Sequence, residues 1–242
     1  MQYVQLKSIA RAIFPIRLLR RWETQLRKLV LFRFQGDRFL CNCCNERLDR
    51  WIVLDDQDLL CPFCGSRSRH RALIQSLSQS IPSGTLLHCS PAPALQRYFK
   101  KRSRWNYETT DWNGGLDTDF TYDLTAIDRE EESVDLLIAL HVLEHITEDR
   151  KALSELHRVL SRKGIAIVQT PFQDGDTYED ARITEPEDRK RAFGQEDHVR
   201  IYALHNLVDR MKQAGFQQVE IQSLEDAYLG IQPQKLLFAY KS

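Results

Sequence analysis

The sequence feature that most constrains the fold is the segment 133–171, whose pattern predicts a strand, a loop, a helix and a second strand. Residues 134–140 are a nearly continuous apolar run of strand length, which is typical of a strand buried on both faces of a parallel sheet. A helix is expected to start near Thr147 and to stop at Gly164, and residues 165–170 form the next strand. The segment therefore predicts one βαβ unit of an α/β protein.

The loop after the first of these strands carries three polar side chains. A strand, a crossover helix and a parallel strand form a right-handed unit, and ligands bind outside the carboxyl ends of the strands in such sheets. His141, Glu144 and His145 follow that end. A histidine at a strand end is either a hydrogen-bonded part of the scaffold or a functional group, and the segment alone leaves both interpretations open.

The length and the charge distribution limit the architecture and the classes of partner. With 242 residues, the chain can hold one sizeable core and a small accessory module. Residues 1–40 carry nine Lys or Arg against two acids, whereas residues 81–242 carry 20 basic and 27 acidic side chains. The acidity of the larger part argues against nucleic acid lying across it, because phosphate contacts need Lys and Arg in number.

Two absences in the sequence bear on its location. No apolar run approaches the roughly 20 residues that a membrane-spanning helix needs. The N-terminus also lacks the uninterrupted apolar stretch of a secretory signal, since Arg11, Pro15 and Arg17 interrupt it. We therefore expect a cytoplasmic protein.

Residues 1–40 form a basic segment, and the apolar residues of its first 34 positions have the spacing of an amphipathic helix broken near Pro15. Such a helix can lie on an anionic membrane surface or contact a partner. It can also pack on its own protein with a solvated basic face, or act as a nucleic-acid arm. Peripheral membrane contact through residues 1–34 is thus one of several expectations.

Residues 41–80 are predicted to be a zinc-binding module. Cys41-x-x-Cys44 is followed, after 16 residues, by Cys61-x-x-Cys64, which is the spacing of a four-cysteine zinc site. Each Cys-x-x-Cys turn directs two thiolates at one point, and two such turns complete a tetrahedron around Zn²⁺. A closed site of four thiolates has no room for a reacting water, so the zinc is expected to be structural. Disulfides are the alternative, and they belong to secreted proteins.

Other features of this module leave choices open. Cys43 lies beside the first pair and could substitute for Cys44. A basic cluster leads into a helix predicted near residues 72–80 and either touches a substrate or is a solvated helix start; it comprises Arg67, Arg69, His70 and Arg71. A Pro-Ser-Gly linker at residues 82–84 then marks the beginning of a large domain, residues 81–242.

The segment 138–171 resembles the stretch from the fourth to the fifth strand of class I S-adenosylmethionine (SAM) dependent methyltransferases, in particular the subgroup called methyltransferase type 11. The resemblance extends over roughly residues 41–240. It implies an α/β fold with a Rossmann-like seven-stranded methyltransferase sheet, whose last strand is antiparallel, behind a small N-terminal zinc-binding module. It also implies SAM as the cofactor.

The resemblance identifies residues 85–89 as the first strand and the segment that follows them as the cofactor loop. The family has an acidic residue and two spaced glycines there, and the matching positions are His88, Ser90 and Ala92, with Pro91 between the last two. A Gly-x-Gly-x-x-Gly for a pyrophosphate is missing throughout, which argues against a dinucleotide enzyme. SAM carries no phosphate, so small residues can still let the backbone approach it.

The resemblance also assigns contacts to the nucleoside part of SAM. Asp111 and Trp112 end the second strand, and a carboxylate at that point can accept both ribose hydroxyls. Asp123 and Leu124 match the segment in which the family reads adenine with a carboxylate and the following backbone N–H.

The resemblance places the methyl group of the cofactor near the strand end at His141, which makes this residue a candidate for lining the reaction centre. For an oxygen or nitrogen acceptor, His141 and His198 are the candidate bases, since a histidine pKa lies close to neutrality. His145 is expected to start the helix or to orient the loop. Residues 193–202 are similar to a segment of zinc-bearing methyltransferases and are predicted to be a substrate lid. The predicted substrate contacts are Tyr178, Asp197, Arg200 and Tyr202.

The sequence therefore predicts a SAM-dependent methyltransferase that moves a methyl group to an oxygen or nitrogen of a small molecule or a saccharide. One alternative is an RNA methyltransferase whose zinc module binds the nucleic acid, against which the acidic large domain argues. The other is a non-catalytic relative that binds partners or membrane through its basic helix, and the loop without glycines motivates it. The sequence makes no prediction of the oligomeric state.

Overall fold

The computed structural model describes residues 31–77, 83–102, 104–115 and 117–241. The described residues form two compact units. The first unit comprises the described residues up to Gln75 together with Glu225–Gln232, and the remaining described residues form the second unit. The helix predicted for residues 1–34 lies, up to residue 30, outside the described part of the chain. So do residues 78–82, which include the first residue of the predicted linker.

The first unit is built from two short hairpins and a helix. Its elements are a 3-10 helix (Leu31–Arg33), β1 (Gln35–Cys41), β2 (Glu46–Leu48), β3 (Ile52–Val53), β4 (Leu59–Leu60) and most of α1 (Ser68–Ser76). β1 pairs antiparallel with β2, and β3 pairs antiparallel with β4. Leu48, Trp51 and Phe63 pack together with the buried cysteines in a core of their own. The chain between the two cysteine pairs thus contains the hairpin of β3 and β4.

The segment 225–232 of the first unit was assigned by the sequence to the large domain. Its Tyr228 carbonyl accepts a hydrogen bond from the Leu40 N–H at 3.0 Å. Gly230 has a φ of +63°, and a Cβ there would lie 2.4 Å from Cε2 of Trp51. Glycine is therefore required at position 230 both by the backbone and by the close approach of the indole ring.

The second unit contains a seven-stranded sheet with helices, as predicted. Its strands and helices in chain order are β5 (Gly84–Cys89), α2 (Pro93–Lys100), β6 (Trp105–Asp111), β7 (Phe120–Thr121), β8 (Val134–Leu140), a 3-10 helix (Leu143–His145), α3 (Asp149–Val159), β9 (Leu160–Gln169), β10 (Phe172–Gln173), β11 (Tyr178–Glu179), α4 (Pro186–Phe193), β12 (Arg200–Ala203), α5 (Leu204–Gln213), β13 (Gln218–Asp226) and β14 (Ile231–Tyr240). Among the described residues, no helix is both long enough and apolar enough to span a bilayer.

The order of strands in the central sheet is β13-β14-β9-β8-β5-β6-β7. β5 is parallel to β6 and β8, β8 is parallel to β9, and β14 is antiparallel to β9. The seven strands and the antiparallel last strand agree with what the resemblance to class I methyltransferases implies. The carboxyl ends of β5, β6, β8 and β9 lie at one edge, where Cys89 pairs with Thr110 and with Ala139, and Ala139 pairs with Val168.

β8 is the central element of this sheet because both of its faces are covered. All of its residues except Asp135 are buried. Leu137 and Ala139 pack in a large apolar cluster that includes Leu153 and Leu156 of α3. This burial explains why the sequence of β8 is almost continuously apolar rather than alternating.

One boundary in this unit differs from the prediction. α3 ends at Val159 and β9 begins at Leu160, so the predicted helix stop at Gly164 is wrong. Val134 pairs with Leu160 but Leu136 pairs with Ile165, so the register of the two strands shifts across the residues between them. A Cβ at Gly164 would lie 2.7 Å from Cγ of Leu160. Glycine therefore allows the irregular strand to fold over Leu160 and does not cap the helix.

The polar insertion after β9 has secondary structure of its own. β12 lies between β10, which is parallel to it, and β11, which is antiparallel to it. The charged run 185–191 lies mostly in the exposed helix α4. The insertion is thus a small three-stranded sheet with one helix rather than a long loop.

Candidate functional site

Two loops leave the central sheet at neighbouring strand ends with unusual backbone angles. Ser90 follows β5 with a φ of +46°, and His141 follows β8 with a φ of +55°. Their N–H groups still donate to the next strands, Ser90 to the Thr110 carbonyl at 2.7 Å and His141 to the Gln169 carbonyl at 2.8 Å. Left-handed conformations at non-glycine residues cost energy and are found mainly at functional sites.

The loop after β5 makes its turn without the glycines of the family. Ser90, at the first glycine position, adopts the left-handed conformation and donates from Oγ to Oδ1 of Asp111 at 3.1 Å. Ala92, at the second glycine position, has φ −60° and ψ 142°, which any residue can adopt. The hydrogen bond therefore brings two of the predicted cofactor residues together at the ends of β5 and β6.

The other predicted cofactor residues continue along the same edge. Asp111 pairs with Thr121 of β7, and Asp123 lies two residues further on. Oδ1 of Asp123 accepts hydrogen bonds from N and Oγ1 of Thr125, both at 2.8 Å, which lower the pKa of this carboxyl. Leu124 and Pro91 are buried, and Trp112 is 73% exposed.

His88, at the position of the family's acidic residue, is part of the core. Its ring is buried between Phe99 and Tyr107, and Nδ1 lies 3.2 Å from the Tyr107 hydroxyl. Burial lowers the pKa of His88 to about 3, so the ring is neutral at physiological pH. This side chain supports β5 and does not supply a charge to the site.

A second group of polar side chains follows β8. Oε1 of the buried Glu144 lies 3.3 Å from Nδ1 of His141. The rings of His145 and His198 meet edge to face with their centroids 4.7 Å apart. One ligand atom from each of Glu144, His145 and His198 lies within 4.8 Å of the other two. Residues that are 53 positions apart in the sequence therefore share one site.

His198 is held in a defined orientation. Its Nδ1 lies 3.2 Å from the Phe193 carbonyl oxygen, so Nδ1 carries the proton that is donated in this hydrogen bond. Its Nε2 is buried and has no hydrogen-bond partner among the described residues. Burial, and then the proximity of His145, lower the pKa of His198. The ring is therefore neutral and presents the Nε2 lone pair.

The predicted substrate lid is bound firmly to the loop after β8. Val199 N–H donates to the Glu144 carbonyl at 2.9 Å. The buried Arg200 donates to the carbonyls of Ile146 and Thr147. Oη of the buried Tyr202 donates to Oδ2 of Asp149 at 2.6 Å. These contacts show how residues 198–202 and the loop after β8 are joined into one surface.

The four predicted substrate residues differ in environment. Arg200 and Tyr202 are buried and hydrogen-bonded to the protein itself. Asp197 has a side chain that is 70% exposed, and its Oδ2 lies 3.3 Å from Nδ1 of His145. Tyr178 is 43% exposed and packs at an angle on Phe193. Asp197 and Tyr178 are thus the two that solvent can reach.

The sequence analysis did not single out Glu144 or Asp149 as site residues. Glu144 is three residues after His141 and immediately before His145, so its place between two histidines was the available signal. Asp149 is buried, accepts from Tyr202 and forms an ion pair with Arg210. No local pattern marks it, because its partners are 53 and 61 residues away in the chain.

The first unit contains a four-cysteine group. Sγ of Cys41 lies 3.7 Å from that of Cys64, and Sγ of Cys44 lies 3.9 Å from that of Cys61. Four sulfurs at about 2.3 Å from one Zn²⁺ are about 3.8 Å apart in a tetrahedron, whereas a disulfide needs about 2.05 Å. The group contains Cys44 and not Cys43. Its geometry and its chemistry fit a tetrahedral zinc ion.

Ser66 lies within hydrogen-bonding distance of two sulfurs of this group. Oγ of Ser66 lies 3.3 Å from Sγ of Cys41 and 3.2 Å from Sγ of Cys64. Hydrogen bonds from neighbouring thiols, first that of Cys41, lower the pKa of Cys64 well below its usual value. The thiolate that a lowered pKa favours at Cys64 is the form that binds a metal.

Arg71 is fully buried, which the sequence analysis did not anticipate. Its guanidinium donates to the carbonyls of Ser66, Leu59, Leu229 and Gly230 at 2.6–2.8 Å. It also lies over the Trp51 ring, 4.1 Å from the centroid. Neither predicted role of the basic cluster, substrate contact or solvated helix start, fits this residue. A buried cation beside four thiolates offsets their negative charge instead.

The left-handed Ser90 leads to a prediction for the stability of the second unit. We expect Ser90→Val to destabilise it by about 1–2 kcal/mol beyond the loss of one hydrogen bond, because a β-branched residue is strained at positive φ. Ser90→Gly removes the strain and loses the hydrogen bond alone, so its loss should be no more than about 0.5–1.5 kcal/mol. Urea unfolding followed by circular dichroism measures both changes.

Ser161→Val is the matched control for this prediction. Ser161 also donates from Oγ to an aspartate, Oδ1 of Asp135 at 3.0 Å, but lies in a strand and is not among the residues of positive φ. The control should lose only the hydrogen bond, about 0.5–1.5 kcal/mol. Equal losses for the two valine variants would contradict the strain at Ser90.

Comparison with known proteins agrees with the fold. The sequence model of a family described as a methyltransferase domain matches residues 89–221, more than half of the chain. No protein of curated function matches the chain by sequence.

Three solved structures illustrate the similarity. A SAM-dependent methyltransferase from Archaeoglobus fulgidus has a TM-score of 0.54 at 12% identity, over 72% of this chain and 93% of its own. One from Thermotoga maritima has a TM-score of 0.52 at 13% identity, over 72% and 91%. Phosphoethanolamine N-methyltransferase 2 from Haemonchus contortus, in complex with SAM, has a TM-score of 0.50 at 13% identity. The match covers 73% of this chain but only 53% of the Haemonchus chain, about half its length.

At these identities the solved structures establish the fold, and the family match establishes the relationship. The strand order, the antiparallel last strand and the loop between β5 and α2 are those of the class I fold. The chain belongs to the SAM-dependent methyltransferases.

Proposed function

We propose that this methyltransferase transfers the methyl group of SAM to an oxygen or nitrogen of a small-molecule or saccharide acceptor. The proposal rests chiefly on one observation. The Ser90–Asp111 hydrogen bond lies at the ends of β5 and β6, and His141 and Glu144 follow the adjacent parallel strand β8, where Glu144 lies close to His198. A cofactor held by the first pair would therefore lie beside the imidazoles of the second group.

The residues at the ends of β5, β6 and β7 fit SAM. The Asp111 carboxylate can accept hydrogen bonds from the ribose hydroxyls. The Asp123 carboxylate can accept a hydrogen bond from adenine, and the Leu124 N–H can donate one to it. The backbone of Ser90, Pro91 and Ala92 would approach the cofactor, with Trp112 covering its other side. When bound, SAM supplies an electrophilic methyl group that passes to the acceptor while the electrons of the broken carbon–sulfur bond remain on sulfur.

His141 and His198 are the proposed bases for this reaction. A neutral imidazole that presents a lone pair can take the proton that the acceptor atom loses as it attacks. Oε1 of Glu144 holds His141 from one side, and the Phe193 carbonyl holds His198. The fixed orientation of both rings removes part of the entropic cost of reaching the reactive geometry.

Acceptor binding is proposed for the insertion. Tyr178 and Asp197 can contact the acceptor directly because solvent reaches both side chains. Arg200 and Tyr202 would act by positioning, since they join β12 to the loop after β8. The acidic balance of residues 81–242 is consistent with a small molecule or saccharide better than with RNA.

For the N-terminal half we propose structural Zn²⁺ bound by Cys41, Cys44, Cys61 and Cys64. The domain division at residues 40 and 80, the membrane contact of residues 1–34 and a cytoplasmic location remain proposals as well. Six cysteines without a disulfide suit a reducing compartment and thus support the location.

Calorimetric titration of the zinc-loaded protein with SAM and S-adenosylhomocysteine tests the cofactor site. We expect binding in the micromolar range and a loss of about 10- to 100-fold in Asp111→Ala, which removes hydrogen bonds from a charged acceptor worth about 1.5–3 kcal/mol. Asp128→Ala is the control, because Asp128 is exposed. A wild type that does not bind SAM would refute the proposed methyltransferase activity. Equal SAM affinities of the two variants would refute the proposed role of Asp111.

A further inference from the structure

Glu144, His145 and His198 form a group whose arrangement goes beyond the roles proposed above, in which Glu144 orients His141 and His198 is a candidate base. They supply one carboxylate and two imidazoles, whose ligand atoms all lie within 4.8 Å of one another. Ligand atoms about 2.1 Å from one cation are about 3.0–3.4 Å apart in an octahedral or tetrahedral arrangement. Side-chain rotations that move these atoms by roughly 1 Å would therefore bring all three into the coordination sphere of one metal ion.

His198 has the hydrogen-bonding pattern of a metal ligand. Metal-binding histidines commonly donate one ring N–H to a backbone carbonyl, which fixes the tautomer and directs the other nitrogen at the metal. Nδ1 of His198 makes this bond to Phe193 at 3.2 Å. Its Nε2 is buried without a hydrogen-bond partner among the described residues. A base that waits for an acceptor does not need such burial, whereas a ligand does.

His145 repeats this pattern. Its Nδ1 lies 3.3 Å from the Asp197 carbonyl oxygen, and a donated hydrogen bond there leaves the lone pair on Nε2. The ring meets that of His198 edge to face. The backbone fixes the third member, since the Glu144 carbonyl accepts from Val199 N–H, next to His198. All three candidate ligands are therefore held by main-chain contacts that do not involve their ligand atoms.

We propose that Glu144, His145 and His198 bind a divalent transition-metal cation at the carboxyl end of β8, and that the acceptor is a compound with two adjacent oxygens that binds to this cation. Two imidazoles and one carboxylate suit Mn²⁺, Fe²⁺ or Co²⁺ better than Mg²⁺ or Ca²⁺, which prefer oxygen ligands. Three protein ligands leave open positions, in contrast to the closed four-cysteine group.

The identity of the acceptor class rests on the proposed function. A hydroxyl that binds a divalent cation loses its proton more readily, and a neighbouring oxygen on the same cation fixes its orientation. The lone pair of His198 would then be used for the metal, and His141 would remain as the proton acceptor. Vicinal diols, including those of saccharides, and hydroxy-carbonyl compounds have the required pair of oxygens.

Titration of the zinc-loaded full-length protein with Mn²⁺, followed by electron paramagnetic resonance, tests the metal site without any reaction. We expect one Mn²⁺ per chain, bound at least tenfold more weakly in Glu144→Gln and His198→Gln. His145→Gln should weaken Mn²⁺ binding similarly. His145 is the most exposed of the three ligands, so this variant is expected to disturb the fold least. His205→Gln is the matched control, since His205 forms an exposed pair with Asp176 outside the group.

SAM titration of the same samples separates this inference from the proposed function. Variants that lose Mn²⁺ but keep SAM affinity are folded and support the metal site. A wild type that binds SAM but no Mn²⁺, or variants that bind Mn²⁺ as the wild type does, would overturn it. If the wild type binds Mn²⁺ but not SAM, the metal site is supported and the proposed methyl transfer is refuted.

Nitrocatechol, whose visible absorption shifts when both oxygens chelate a metal, probes the open positions. We expect a shift that requires Mn²⁺ and is lost in His198→Gln. Mn²⁺ binding without a shift would overturn the two-oxygen acceptor.

Discussion

Cys61→Ser in the full-length protein is expected to abolish zinc binding and to unfold the first unit. Structural zinc in small domains contributes about 10–16 kcal/mol of apparent binding free energy, which equals or exceeds the roughly 5–15 kcal/mol stability of a typical domain. The core around Leu48, Trp51 and Phe63 is too small to replace that contribution. Hydrogen exchange measured by mass spectrometry should show complete loss of protection in residues 35–75, with metal content falling from one zinc per chain to none.

The same experiment should include the segment 225–232, which is far from the cysteines in sequence. Its carbonyls at Tyr228, Leu229 and Gly230 accept from Leu40 and Arg71, so it should lose protection together with residues 35–75. Strand β8 serves as the internal reference, since its buried backbone belongs to the second unit.

Cys43→Ser is the matched control for the zinc prediction. Cys43 is adjacent to Cys44 but is not a member of the four-sulfur group. Its variant should retain one zinc and normal protection, whereas Cys44→Ser should behave like Cys61→Ser. Loss of zinc in Cys43→Ser with retention in Cys44→Ser would show that Cys43 is the ligand, and a wild type without zinc would refute the site.

The central sheet could be predicted from the sequence because its signals are local. The apolar run of β8 coincides with the strand from Val134 to Leu140, since burial on both faces leaves little choice of residue. The cysteine spacing similarly determines which sulfurs meet. In both cases a short stretch of sequence contains the cause of the structure.

Other features depend on contacts between distant residues and could not be predicted. Arg71 belongs to a basic run that is typical of a solvated surface, and only the carbonyls of residues 59, 66, 229 and 230 make its burial favourable. Gly164 follows two basic residues, as a helix stop does, but the irregular pairing of β8 with β9 determines its role. The joining of Glu144 to His198 likewise results from the fold of the insertion.

The buried network around Asp149 holds the candidate site together. Asp149, at the first turn of α3, accepts from Tyr202 of β12 and from Arg210 of α5. Arg210 also donates to Oε1 of Glu179 at 2.6 Å, and Arg200 donates to Oε2 of Glu179 at 2.8 Å. These hydrogen bonds, first that from Arg210, lower the pKa of Glu179 to about 2. The network thus joins both strands of the β11–β12 pair to two helices through charges that compensate one another.

Asp149→Ala is therefore expected to destabilise the second unit by about 2–4 kcal/mol, because it leaves the buried Tyr202 phenol without its acceptor and removes one of the two carboxylates that pair with the buried Arg210. The midpoint of urea unfolding measures the loss.

Asp180→Ala is the matched control. Asp180 forms an ion pair with Arg182 in the same insertion, but the Arg182 side chain is 90% exposed. The free energy of unfolding of this variant should therefore stay within about 0.5 kcal/mol of the wild type. Because Tyr202 and Arg200 join residues 198–202 to the loop after β8, Asp149→Ala should also weaken Mn²⁺ binding through His198. A variant as stable as the control would mean that the apolar packing of Tyr202, rather than its hydrogen bond to Asp149, keeps β12 in place.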